Sequence, residues 1–167
     1  MNSGCNFATR QRGHTLIEVL VAVVVLSVSM VGMLKMQTAT QAVNNSASLR
    51  SYASHKAYEL ADRARANQQG LLAGAYSNLS GAGANPGCVA SGCTPAQMAA
   101  NDWYEWNADL AQHLPNGQAA LCIDCAPNDG TPASPACDGV GNAFAVKIWW
   151  TDDRSGSPKR FVTAVRP

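Results

Sequence analysis

Two sets of residues in this sequence are suited to chemistry: one carboxylate at the head of an apolar run, and the cysteines. Glu18 is followed by no charged residue until Lys35. A carboxylate at membrane depth costs about 2.5–3.5 kcal/mol on insertion scales when unpaired, so the position calls for a partner. A free amino terminus would supply one. If the chain is cut after Gly13, His14 becomes the first residue and Glu18 lies about one helical turn further on. The positive end of the helix dipole favours a carboxylate there. An α-amino group on the same or a neighbouring subunit then completes an ion pair. An ordinary secretory signal would instead place a small-x-small site after its apolar core, and Ser27-Val28-Ser29 lies inside the run.

The chain has six cysteines. Cys5 falls in the polar leader; Cys88, Cys93, Cys122, Cys125 and Cys137 all follow the apolar run, where an exported domain can form disulfides. Cys122-Ile123-Asp124-Cys125 is a C-x-x-C, the pattern of redox and metal sites. It runs into Ala126-Pro127 rather than opening a helix, and no second pair stands at zinc spacing. A structural bridge from Cys122 or Cys125 to Cys137 is the simpler reading. Cys88 and Cys93 enclose four residues among glycines and can staple that turn. The odd number leaves one thiol over.

Other candidates are weaker. His55 and His113 lack ligand companions at helical spacing. Trp103, Trp106, Trp149 and Trp150 read as core more readily than as a sugar platform, with one of Trp149 and Trp150 free for an interface. Asp152 and Asp153 alone are too few oxygen ligands for calcium. With no nucleophile–base pair and no phosphate loop, the sequence points to no enzyme, no cofactor and no resident metal.

These residues need elements to hold them. Thr15 to Leu34 is long enough, at roughly 30 Å as a helix, to cross a hydrocarbon core. The apolar pattern then narrows to a stripe through Met36, Ala39, Val43, Leu49, Ala53, Ala57, Leu60 and Ala64, with Glu59, Asp62, Arg63 and Arg65 on the polar face. One helix from about Thr15 to Asn67 is expected. Residues 70–92 read as loop. Thr94-Pro95-Ala96-Gln97 is a capping box that starts a second helix, ending near His113. Ala119–Ile123, Ala143–Thr151 and Phe161–Val165 read as strands of a three-stranded meander, separated by loops 124–141 and 152–160. The expected organisation is a leader over 1–13, an anchoring half-helix over 14–35, an amphipathic half over 36–69, and a globular α+β domain over 70–167. The formal net charge is +1; without Arg10 and Arg12 of the leader, 10 basic residues face 11 acidic ones, a net −1. No basic cluster follows the leader, which excludes a nucleic-acid partner. Arg10 and Arg12 before the span fit a cytoplasmic N-terminus and an exported domain.

Arg12-Gly13-His14-Thr15-Leu16-Ile17-Glu18-Val19-Leu20 resembles the class III signal of type IV prepilins and type II secretion pseudopilins. His14 stands where that family usually has Phe. The resemblance implies a pilin-like fold, with a long N-terminal helix packed against a small antiparallel sheet. It also implies cleavage between Gly13 and His14 by a prepilin peptidase, N-methylation of His14, and assembly through Glu18. Cys93-Thr-Pro-Ala-Gln-Met-Ala-Ala100, Asp129-Gly-Thr-Pro-Ala133 and Val146-Lys-Ile-Trp-Trp150 are similar to the type IV pilus modification proteins of the PilV type, which are minor pilins. That resemblance implies a bridge between Cys122 and Cys137, with Cys125 the odd thiol. It further implies a single-pass inner-membrane protein with a periplasmic domain that moves into the pilus, helping to prime assembly at or near the tip. The implied partners are other minor pilins, the major pilin and a tip adhesin. A minor pseudopilin of type II secretion is the alternative, and a membrane-anchored periplasmic redox or binding protein the distant one.

Overall fold

The computed structural model describes residues 15–152 and 156–166. Cys5, Gly13, His14 and Asp153 lie outside the described residues. The chain forms two units, one ending at Val43 and one beginning at Asn44.

α1 spans Leu16–Ala66, 51 residues without a proline. Its part before Val43 carries the one stretch, among the described residues, long and apolar enough to cross a membrane. Ser27 and Ser29 interrupt the apolar composition but not the surface. Their hydroxyls donate to the carbonyls of Val23 at 2.7 Å and Val25 at 2.9 Å, so neither donor is left open.

The second unit is an α+β domain built on the later part of α1. α2 (Gln68–Leu72), β1 (Asn78–Ser80) and α3 (Cys88–Ser91) follow, then α4 (Pro95–His113), β2 (Gln118–Ile123), β3 (Phe144–Trp150) and β4 (Lys159–Val165). The sheet is antiparallel in the order β1-β2-β3-β4. This corrects the expected three-stranded meander, because residues 70–92 are not all loop. β1 is a short edge strand whose Leu79 faces Leu121 across the ladder. Three residues are too few to show an alternation, and β1 exists because β2 offers it an edge. α2 restarts the helix after a break at Asn67, whose side chain accepts from the Gly70 amide at 3.1 Å.

α4 begins with the expected capping box: the Gln97 amide donates to Thr94 Oγ1 at 3.3 Å, and the Thr94 amide to Gln97 Oε1 at 3.0 Å. The core lies between α1, α4 and one face of the sheet. Ala53, Ala57, Leu60 and Ala64 of α1 are buried there. So are Trp103, Trp106 and Leu110 of α4, and Val146, Ile148 and Trp150 of β3. Alanines on α1 leave room for the large indoles, and each fully buried large side chain contributes about 1.5–3 kcal/mol. Met36 and Val43, at the start of the expected stripe, are exposed, as is Met98 at the start of α4.

A polar seam joins α1 to α4. Trp106 Nε1 donates to the Lys56 carbonyl at 2.7 Å. Lys56 is buried, with Asp109 at 2.8 Å and Glu59 one turn away. Tyr52 donates to the same Asp109 carboxylate at 2.8 Å and stacks on His113. Tyr76, fully buried, donates to Asp102 at 2.6 Å. Its hydroxyl is pushed well above the usual range, first by burial and then by that carboxylate.

Candidate functional site

The first candidate region is the start of α1. The amides of Glu18 and Val19 both donate to the Thr15 carbonyl, at 2.9 and 3.4 Å, so the helix is set at once by Thr15. Glu18 falls in the first turn, where its charge complements the helix dipole. Leu16, Ile17, Val19, Leu20 and Val21 around it are all more than half exposed. This surface has no cover of its own. Glu18 is the acidic residue of this first turn, set among exposed apolar side chains.

The second region is the outer face of the sheet. Pairing places Lys147 opposite Ala120 and Val162, and Ala145 opposite Cys122 and Ala164, all on the face away from the core. The segment 124–143 lies over this face and buries its β2 and β3 positions, while Val162 is half-buried and Ala164 exposed. Among the described residues there are two disulfides, Cys88–Cys93 with a Cα–Cα distance of 5.0 Å and Cys122–Cys137 with one of 6.0 Å. The second ties β2 to the covering segment.

Lys147 is the internal anchor of that segment. It is fully buried, and its ammonium donates to the Pro135 carbonyl at 2.7 Å and Asp129 Oδ1 at 2.9 Å, beside the buried Asp124 carboxylate. Burial alone would push the Lys147 amine down; the bonds to Asp124 and Asp129 outweigh it and hold the amine above the ordinary lysine value. Arg160 of β4 donates to the carbonyls of Gly130 and Asn128 in the same segment. Gly130 has φ +80°, and an added Cβ would run into the Pro135 carbonyl. The segment is therefore clamped from β2, β3 and β4 together. Sequence reading missed Lys147, Asp124 and Asp129. The available signal was a lysine in the middle of an otherwise apolar strand, with two aspartates in the loop before it.

Cys125 is the free thiol among the described residues and is exposed. With Cys122 bonded to Cys137, the C-x-x-C is not a dithiol and offers no zinc pair. Asp124, Cys125 and Asp138 bring three ligand-type atoms within 4.8 Å of one another. Asp124 pairs with Lys147, and the Cys125 thiol donates to Asp138 at 2.7 Å, so these groups engage protein partners.

The remaining candidates do not converge. His55 is exposed, and exposed His113 pairs with Asp109 on its own helix. Trp149 and Trp150 lie on opposite faces of β3, as alternation demands, but both are buried, because the covering segment hides Trp149. The expectation that one of them is free for an interface is corrected by that cover. Asp152 accepts from Ser46 at 2.6 Å and lies 4.0 Å from the Lys159 ammonium.

Residues 8–34 match the family model for the prokaryotic N-terminal methylation motif. The match covers the end of the expected leader, Gly13 and His14, and the apolar part of α1, and it supports a type IV pilin or pseudopilin. No curated protein and no solved structure matches the chain.

Proposed function

We propose that this chain is a minor pilin of the PilV type, which helps prime type IV pilus assembly and is incorporated at or near the tip. The observation that carries the reading is the methylation motif running directly into an apolar helix whose side chains have no cover of their own. Such a helix is unstable in water and needs lipid first, then neighbouring helices. The disulfide-stapled α+β domain that follows suits an exported head.

In this reading a prepilin peptidase cuts between Gly13 and His14, and the new His14 amine is methylated. Glu18 pairs with the terminal amine of a neighbouring subunit as the helix leaves the membrane. The protein waits in the inner membrane as a single-pass subunit with its domain in the periplasm. Its partners are other minor pilins, the major pilin and a tip adhesin. The segments Cys93–Ala100, Asp129–Ala133 and Val146–Trp150 favour a minor pilin over a major one.

The test is to shear surface filaments from cells producing the tagged protein and to sequence its N-terminus. The proposal expects a low-abundance subunit in the filaments, beginning at His14. Protein confined to the envelope, with type II secretion lost in its absence, would instead establish a pseudopilin. A chain beginning at Met1 in the envelope fraction would reject both.

A further inference from the structure

Cys125 Sγ donates to Asp138 Oδ2 at 2.7 Å, and the Cys125 amide points at the same carboxylate at 3.3 and 3.4 Å. Asp138 directly follows Cys137, whose sulfur is bonded to Cys122. The Gly139 amide donates to the Ile123 carbonyl at 3.0 Å, which keeps the two chains of this neck together. One free thiol and one disulfide thus share a single neck, and the thiol is tied to the residue beside the bridge.

Exchange between them would balance in atoms and electrons. A Cys125 thiolate attacks the Cys137 sulfur, the Cys122–Cys137 bond breaks and a Cys125–Cys137 bond forms. Cys122 leaves as a thiolate and takes up the proton that Cys125 lost. No outside oxidant is required. The product would free the covering segment from β2, next to the buried Lys147–Asp124 pair.

We infer that Asp138 is a positioning residue that guards this bridge, holding the Cys125 thiol in a hydrogen bond so that it does not attack. Thiolate, not thiol, is the nucleophile. Among the described residues, the charged groups facing Cys125 are Asp138 and Asp124, both acidic; the nearby Lys147 ammonium is committed to Asp124, Asp129 and Pro135. The thiol is accordingly held above the ordinary cysteine value, first by its bond to Asp138. Asp138 stays ionised because Cys125 and the Val140 amide both donate to it. The guard works through the carboxylate charge, which the isosteric amide lacks.

The experiment uses the full chain in detergent, oxidised, with iodoacetamide as the probe of Cys125 and peptide mapping of the bridges at mildly alkaline pH. In Asp138→Asn, alkylation should be several-fold faster at neutral pH, with its pH profile shifted downward. A fraction of the chains should carry Cys125–Cys137, and the Cys125→Ser, Asp138→Asn double variant should keep Cys122–Cys137 alone. Coincident pH profiles for wild type and Asp138→Asn would overturn the inference, as would faster alkylation with the bridges unchanged. A second measurement needs no variant. The wild-type profile must lie at higher pH in the folded chain than in denaturant, and the reverse order also overturns it.

Discussion

The Lys147 ammonium, in the middle of β3 and fully buried, meets the Asp124 carboxylate just beyond the end of β2, and neither side chain reaches solvent. Two charges taken out of water are expensive, and their mutual attraction offsets this only when the remaining bonds are also made. Here Asp129 and the Pro135 carbonyl complete the ammonium, and the Ala126 amide donates to Asp124 at 2.8 Å. The pair converts the outer face of the sheet into a floor for the segment above it.

Breaking the pair on one side should be costly. Lys147→Met is expected to lower stability by about 3–5 kcal/mol, because it strands a buried carboxylate. Lys147→Met with Asp124→Leu should recover most of the loss. Denaturant unfolding of the oxidised chain in detergent measures both. The pH dependence has a definite sign. The folded amine lies above its ordinary value of 10.5, so its contribution is complete below that pH and fades as pH rises through the folded value. Lys147→Met should lose that alkaline component.

The seam between α1 and α4 should be sensitive at the acid end. Asp109 is held below the usual 3.8, first by its bond from Lys56 and then by that from Tyr52. Its contribution is therefore present above 3.8 and is lost as pH falls through the folded value. Asp109→Asn should be less stable than wild type at neutral pH and should show a flatter loss on acidification, read by unfolding across an acid titration. Equal slopes for the two proteins would exclude this role.

Gly130→Ala should loosen the covering segment. The position combines φ +80° with close approach of the Pro135 carbonyl, and its own carbonyl accepts from Arg160. Strain of this kind costs about 1–3 kcal/mol. Limited proteolysis should cut the variant within residues 126–136 well before wild type. An unchanged cleavage rate would show that the segment absorbs the methyl group elsewhere.

Glu18→Ala separates insertion from assembly. Removing the carboxylate spares about 2.5–3.5 kcal/mol on entering lipid, so the variant should be processed and inserted at normal levels. In the proposed filament, the amine of a neighbouring helix would lose its counter-charge, a loss of about 3–5 kcal/mol in a low-dielectric bundle. Piliation should fall while membrane abundance holds. Normal piliation with normal abundance would reject the pairing.

The sequence by itself determined the long helix, its apolar head and the α4 capping box. Each is written in residues near one another: an unbroken apolar run, a stripe at helical spacing, and Thr94 with Gln97 one turn apart. Phe144 to Trp150 was legible as a strand for the same reason, its period of two being local. Only the tertiary structure decided what depends on contacts distant in sequence. β1 forms because β2 lies beside it, and three residues of Asn-Leu-Ser carry no pattern of their own. Lys147 becomes a buried anchor because a stapled segment brings Asp124 and Asp129 to it. Trp149 is buried by that same segment, and Cys125 is left free because its neighbour Cys122 lies on the outer face of β2, against Cys137. Local periodicity fixes elements, whereas burial of charge and choice of cystine partner depend on which surfaces meet, and those meetings are set by the packed chain.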